Sequence, residues 1–297
     1  MKIPETRLAQ CGLAFVAVIV LATLGCCAPA MGAEAPDAAF IAAALQQQES
    51  APIDVVFTIS EKPAGAPDTD ELKDYIESHY VRTSDALWIK QKFNTNSKET
   101  TESSYDRSTK EHRALTTLQD GKALAHVRQG ALVGALQEQS LLDPVRFYLS
   151  ASSDGSATFL YQWAKYANVS QEMETIDGHT CWKLEIANPT PNAEQFVIWV
   201  DPTIGYCPRQ VDVMRRGGIG RCRTRFGDYA EVEPGIWSPK LQVSDIPKTK
   251  SGPAVTITIK AKELKGGVKP DKASLLVKIP TGTRLYIDDM SEAIQAP

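Results

Sequence analysis

Several stretches of the chain alternate apolar and polar residues with a period of two. Trp182, Leu184 and Ile186 oppose Lys183 and Glu185, and Val255, Ile257 and Ile259 oppose Thr256, Thr258 and Lys260. Leu275, Val277 and Ile279 likewise oppose Lys278. That period predicts strands with one wet face and one covered face. The same reading places strands at 53–60, 81–93, 104–118, 122–128, 171–176, 180–187, 195–201, 209–216, 221–232, 236–246, 254–264 and 274–288. Gln119-Asp120-Gly121 joins two of them, since Asp-Gly supplies the positive backbone angle of a tight hairpin turn. The strands form an antiparallel meander.

Helical spacing occurs in few places. Residues 34–50 are Ala-rich and amphipathic, with Asp37 as a cap. A short helix is expected at 71–79, and another from Asp143-Pro144 through Ser150. Between Gly155 and Asn168, Phe159, Leu160, Trp163 and Tyr166 recur at intervals of three and four, giving one apolar stripe. The covered face of the strands needs a partner, and this stripe is the substantial one in mid-chain. The expected fold is therefore α+β, mostly β: one strongly curved antiparallel sheet wrapped over one or two helices. No repeat, low-complexity linker or second domain boundary interrupts residues 34–297, which read as a single domain.

Composition supports an ordinary globular core, with 43% hydrophobic and 23% charged residues in 297. Lys2 and Arg7 precede a weakly polar run from Cys11 to Leu24, followed by small residues through Ala35. This predicts a secretory signal peptide over residues 1–33, because a membrane span needs ~20 apolar residues. The chain is then exported to the periplasm. A second reading anchors it by lipid at Cys26 or Cys27, since Leu24-Gly25-Cys26 sits where a lipoprotein signal ends. The formal charge of −4 argues against nucleic-acid binding.

The C-terminal half carries an ordered set of motifs. They are Ile176-Asp177-Gly178-His179-Thr180-Cys181-Trp182, Ile198-Trp199-Val200-Asp201-Pro202 with Gly205-Tyr206, Phe226-Gly227-Asp228-Tyr229 leading to Gly235-Ile236-Trp237-Ser238-Pro239, and Ile279-Pro280-Thr281-Gly282-Thr283. In this order they resemble exported proteins of the lipoprotein-carrier (LolA-like) family, over roughly residues 52–289. The resemblance implies an unclosed barrel of antiparallel strands lidded by helices. It also implies an apolar cavity that receives lipid or the acyl chains of a lipidated protein, without catalysis and without a cofactor. A sensor built on the same scaffold, binding a partner protein or peptide, is the alternative. Trp88, Phe159, Trp163, Trp182 and Trp237 are the candidate cavity wall, and Trp199 is a weaker candidate because it alternates with Phe196 and Ile198. Each of these aromatics also suits an ordinary core.

Other chemistry has little support. None of His79, His112, His126 and His179 has zinc-protease spacing, and no nucleophile elbow or phosphate loop is present. Three cysteines follow the leader, Cys181, Cys207 and Cys222. In an oxidising compartment one disulfide is expected, with Cys181 and Cys207 the favoured pair, ahead of a zinc site completed by His179. Arg215, Arg216, Arg221, Arg223 and Arg225 bracket the turn Gly217-Gly218-Ile219-Gly220. They read either as an anion-facing patch touching a membrane surface or as a hairpin neutralised by Asp212, Asp228 and Glu231.

Overall fold

In the computed structural model, which describes residues 34–66, 74–94, 99–130, 160–187, 195–214, 221–248, 252–287 and 294–295, Asp37 opens the first element. Its carboxylate accepts the Ala39 N–H at 3.2 Å and caps α1 (Ala38–Ser50). Ile41, Ala42 and Leu45 are buried along one face of this helix. Its last turn leaves carbonyls without helical partners, and a buried arginine takes them. Arg82 donates Nη2 to the Gln48 carbonyl at 2.9 Å and Nε to the Ala51 carbonyl at 3.1 Å. The signal peptide expected over residues 1–33 lies outside the described residues. Residues 36–297 cluster as one unit, and among the described residues no helix is long and apolar enough to cross a membrane.

Strands supply most of the rest. They are β1 (Ile53–Pro63), β2 (Asp74–Arg82), β3 (Ala86–Phe93), β4 (Thr100–Asp106), β5 (Glu111–Thr117) and β6 (Ala123–Gln129) in the first half. After α2 (Leu160–Ala164) come β7 (Asn168–Ile176), β8 (His179–Ala187), β9 (Gln195–Asp201), β10 (Cys207–Met214) and β11 (Arg221–Gly227). The short hairpin β12 (Ala230–Glu233) and β13 (Ile236–Ser238) precedes β14 (Leu241–Ile246) and β15 (Val255–Gly266). Then follow α3 (Lys272–Leu275), β16 (Arg284–Ile287) and β17 (Ile294–Gln295).

All strands but the β12–β13 hairpin join one curved 15-stranded sheet, in the order β17-β16-β6-β5-β4-β3-β2-β1-β15-β14-β11-β10-β9-β8-β7. Its two ends, β17 and β7, do not pair with each other, so the barrel stays unclosed. Pairing is antiparallel except between β16 and β6, which run parallel. The expected fold class is the observed one: mostly β, with a large curved sheet and a few helices.

The sheet has two covered faces. On the inner face, defined by Arg82 and the α1 end it holds, Phe57, Ile59, Tyr80, Leu87, Ile89 and Ile259 form a buried cluster, with Val232 of β12 packed against it. On the outer face, Val81, Ala86 and Leu275 form one small cluster, and Ala125 and Leu285 another. Helix α1 lies against α2 and β13, and α2 against β8.

Five expectations change in detail. Residues 74–79, expected as helix, belong to β2, where pairing with β1 places Tyr80 in the inner cluster. The long strand expected at 81–93 breaks at Thr83–Asp85, because the Thr83 hydroxyl accepts the N–H groups of Asp85 and Ala86 and turns the chain. Asp106 makes the analogous turn between β4 and β5 by accepting from Ser108 and Thr109 N–H. The strand expected at 274–288 forms only from Arg284. Leu275, at the end of α3, and Val277 and Ile279, on the irregular strap that follows, are tucked against the outer face, pinned by Val277 N–H to Ser104 Oγ at 2.9 Å. Period two marked this chain as extended, yet it crosses the sheet instead of pairing with it. The expected helix at 155–168 is described from Leu160 and ends at Ala164, leaving Tyr166 71% exposed. The expected helix at 143–150 lies outside the described residues.

Candidate functional site

The inner face is the surface that the sequence reading assigns to a guest. Trp182 stands on it with Leu184 and Ile186, cross-strand from Val200, Ile198 and Phe196. Trp182 is 4% exposed and the others at most 1%. Trp163 sits on α2, which lies against β8, and its indole Nε1 is buried without a partner. Trp237 is half-buried on β13, where its backbone N–H donates to Gln48 Oε1 at 2.8 Å. Phe159 lies outside the described residues.

Trp88 is placed differently. Alternation with Leu87 and Ile89 turns it to the outer face, where it packs beside Val81, Ala86 and Leu275. Its Nε1 donates to Glu102 at 3.0 Å, and the His79 ring meets it edge-on at 5.0 Å. It is outer-face packing, apart from the inner wall. Trp199 is also outward-facing, grouped with Cys181, Val197 and Ile176 and donating to Glu174 at 2.7 Å.

The arginine cluster is brought together only in part. Arg215 and Arg216 lie outside the described residues, and Arg221 is placed by its backbone alone. Arg223 pairs with Asp212 at 3.0 Å, and Arg225 with Asp245 at 2.8 Å. The Asp212 carboxylate is wholly buried, and cross-strand register sets Asp212 opposite Arg223 and Arg223 opposite Asp245. These two arginines are committed to a ladder of opposite charges on the outer face.

The cysteines need a correction. No disulfide joins Cys181, Cys207 and Cys222 to one another. Register explains why the favoured pair does not form. Cys207 is opposite Asp201, and the β8–β9 pairing that sets Trp182 against Val200 brings Cys181 alongside the same Asp201 from the other side. The two thiols therefore flank a central strand, about 9–10 Å apart at Cα by strand spacing, whereas a disulfide needs less than ~7 Å. The sequence placed them at the same end of β9 but could not show that β9 runs between them.

Around Asp201 lies a cluster of groups that suggests chemistry but is structural. Burial alone raises the Asp201 carboxyl, but hydrogen bonds from Thr203 and Arg209 outweigh it and hold the group below its ordinary value. Thr203 gives its N–H at 2.8 Å and its hydroxyl at 2.6 Å, and Arg209 gives Nε at 2.9 Å. The carboxylate thereby caps the 3-10 turn Pro202–Ile204. His179 Nδ1 is 3.6 Å from it, beyond a hydrogen bond. Burial, with Asp201 nearby, pushes the Cys181 thiol up to about 12. Such a thiol is not a thiolate at neutral pH, so Cys181, His179 and Asp201 do not make an activated nucleophile. Among the described residues no group of His, Cys, Asp or Glu is arranged to hold a metal ion.

Sequence reasoning missed two features. Gln48, third of a run of three glutamines, is buried and joins α1 to the β12–β13 hairpin. The other is a row of buried polar side chains on the inner face of β2–β5, Ser78, Gln91, Ser103 and His112, which no motif announces. An open cleft of about 760 Å³ lies between the β5–β6 turn and Pro280–Arg284.

The comparisons bear on the fold alone. No family model matches the chain, and no curated protein matches it. Among solved structures, a DUF1329 family protein from Desulfovibrio piger superposes with a TM-score of 0.51 at 14% identity, over 80% of this chain and 97% of that one. An outer membrane lipoprotein-sorting protein domain from Vibrio parahaemolyticus gives 0.49 at 12% identity, over 80% of this chain and 95% of that one. At such identities, the likeness to the Desulfovibrio piger protein is a likeness of the unclosed sheet with its helices.

Proposed function

We propose that the protein is an exported, non-catalytic binding protein whose inner sheet face takes an apolar guest, a lipid or the acyl chains of a lipidated protein. The observation that supports this most directly is an unclosed sheet whose inner face carries two apolar stretches, separated by Thr224, Gln242 and Ser244 of β11 and β14. Leu184, Ile198 and Val211 succeed one another across β8–β10, and Phe57, Ile59, Ile259 and Ile89 across β1, β15 and β3. Helices α1 and α2 lie beside β13 and β8. An acyl chain gains about 0.8 kcal/mol per buried methylene, so eight to ten methylenes suffice for reversible binding. The leader at residues 1–33 supplies the export that this role requires.

The test is extraction of the full chain, purified from the periplasm, with organic solvent, followed by mass spectrometry. Near-stoichiometric lipid is expected, and the stripped protein should take up a fluorescent long-chain fatty acid and quench Trp182. A chain that carries no lipid and takes up no acyl probe would overturn the reading.

A further inference from the structure

The inner face is not apolar throughout. Toward the β3–β6 end its side chains become polar, and three of them are buried with hydrogen-bonding atoms that lack partners: Gln91 Oε1, Ser103 Oγ and both ring nitrogens of His112. They are 1%, 0% and 6% exposed. Strand register arranges them diagonally. Gln91 on β3 is opposite Thr101, two residues from Ser103 on β4. His112 on β5 is opposite Tyr105, two residues beyond Ser103. Diagonal same-face neighbours of this kind are roughly 7–8 Å apart, so the three form one strip leading away from the apolar centre. A buried polar group without a partner is costly, and three in one strip call for something that satisfies them.

Charge on the strands that carry the strip has one sign, and the buried Glu49 of α1 is paired with Arg107 at 2.7 Å. Alternation sends Glu77, Glu102, Asp106 and Glu111 to the outer face, where Glu77 meets Lys262, Glu102 meets Trp88, and Asp106 meets Lys272. The inner face keeps Arg82, Arg128 and Arg284. Arg82 is used at the end of α1, Arg128 is directly cross-strand from His112, and exposed Arg284 stacks over Tyr286, which lies parallel to His126 at 4.9 Å. Among the described residues, no carboxylate of β3–β6 or β16 faces this side. Burial first, and then Arg128 and His126, lowers the His112 imidazole to about 4, so at neutral pH it offers one N–H and one acceptor.

We propose that this strip is the seat for the acidic headgroup of an amphiphile whose tail lies on the apolar centre of the same face. Ser103 and the His112 N–H donate to the anion, Arg284 supplies the field, and Gln91 meets a hydroxyl or ester nearer the tail. The inference rests on the inner face being the guest's surface. It adds that the guest is anionic, with phosphate and carboxylate as the two sources of that charge.

The experiment uses the stripped full chain and tail-labelled lipids with identical tails, below their micelle concentration: phosphatidylglycerol, phosphatidylcholine and a fatty acid. Phosphatidylglycerol should bind about tenfold more tightly than phosphatidylcholine. The fatty acid tells a carboxylate from a phosphate: whichever acid binds better names the source. Ser103→Ala and His112→Asn should cut the preference to less than about threefold, weakening phosphatidylglycerol more than phosphatidylcholine. Arg284→Gln, at an exposed position that tolerates change, should weaken the preference and flatten its salt dependence. Equal affinity for acidic and zwitterionic lipids, or a preference untouched in all three variants, overturns the headgroup seat and leaves the apolar guest standing. Failure of every lipid to bind overturns both.

Discussion

Replacing Gln48 by leucine isolates one contact between α1 and the rest of the fold. The side chain is 2% exposed and makes two bonds at once: Nε2 donates to the Gly235 carbonyl at 2.8 Å, and Oε1 accepts the Trp237 N–H at 2.8 Å. Leucine nearly preserves the volume but satisfies neither backbone group. Each stranded group costs about 1–3 kcal/mol, discounted where water reaches it, so Gln48→Leu should destabilise by roughly 2–4 kcal/mol. For a domain of this size that is a fall in Tm on the order of 5–15 °C. Gln46 and Gln47 precede it in the chain and are exposed. Gln46→Leu and Gln47→Leu should therefore stay within about 0.5 kcal/mol of the parent. Urea denaturation of the three variants, followed by circular dichroism, decides the matter. If Gln48→Leu costs no more than its neighbours, the hairpin is not held by this side chain and the account of α1 fails.

Three further outcomes follow from the structure. Asp37→Ala removes the cap of α1 and should cost about 1 kcal/mol in the same denaturation assay, with Asp37→Asn recovering most of it. His112 titrates near 4 when folded against 6.5 ordinarily. The unfolded chain therefore takes up its proton first as pH falls, so stability is intact above about pH 6.5 and is lost progressively toward pH 4, by as much as ~3 kcal/mol. Comparing His112→Asn with the parent at pH 7 and pH 4.5 reads this directly, and an unchanged difference between the two pH values would refute it. Cys181 and Cys207 should remain unalkylated by a thiol reagent at pH 7 in the folded protein and react fully in denaturant without reductant; a requirement for reductant would mean that they are bridged.

Much of the architecture was legible in local pattern. Period-two alternation located β7–β10 and β15, merged β11 with β12 and β13 with β14, and assigned Trp182, Leu184 and Ile186 to a common face, because a half-buried strand must separate its apolar and polar residues. Asp37 ahead of an Ala-rich stretch identified α1, since a capped helix end is a short-range event. The Asp120-Gly121 turn was equally local, and Gly121 has φ +80°. Where the chain turned on a single side-chain oxygen, at Thr83 and Asp106, the pattern ran two strands together. Alternation does not encode where a strand stops.

What lay beyond the sequence was every relation between strands distant in the chain. Alternation shows that Trp88 opposes Leu87 but not which side is inner; that depended on Arg82 reaching the end of α1. The spacing of Cys181 and Cys207 placed both near Asp201, but only sheet order showed a strand between them. Leu275, Val277 and Ile279 have a strand's alternation and serve, from the end of α3 onward, as a strap across the outer face, because burial rewards an extended chain whether or not it pairs. The segregation of acids to one face and unpartnered Ser103 and His112 to the other arises only when β3–β6 lie side by side. Period and capping act over a few residues and are written in the chain; register and facing are settled by contacts that exist only once the sheet has assembled.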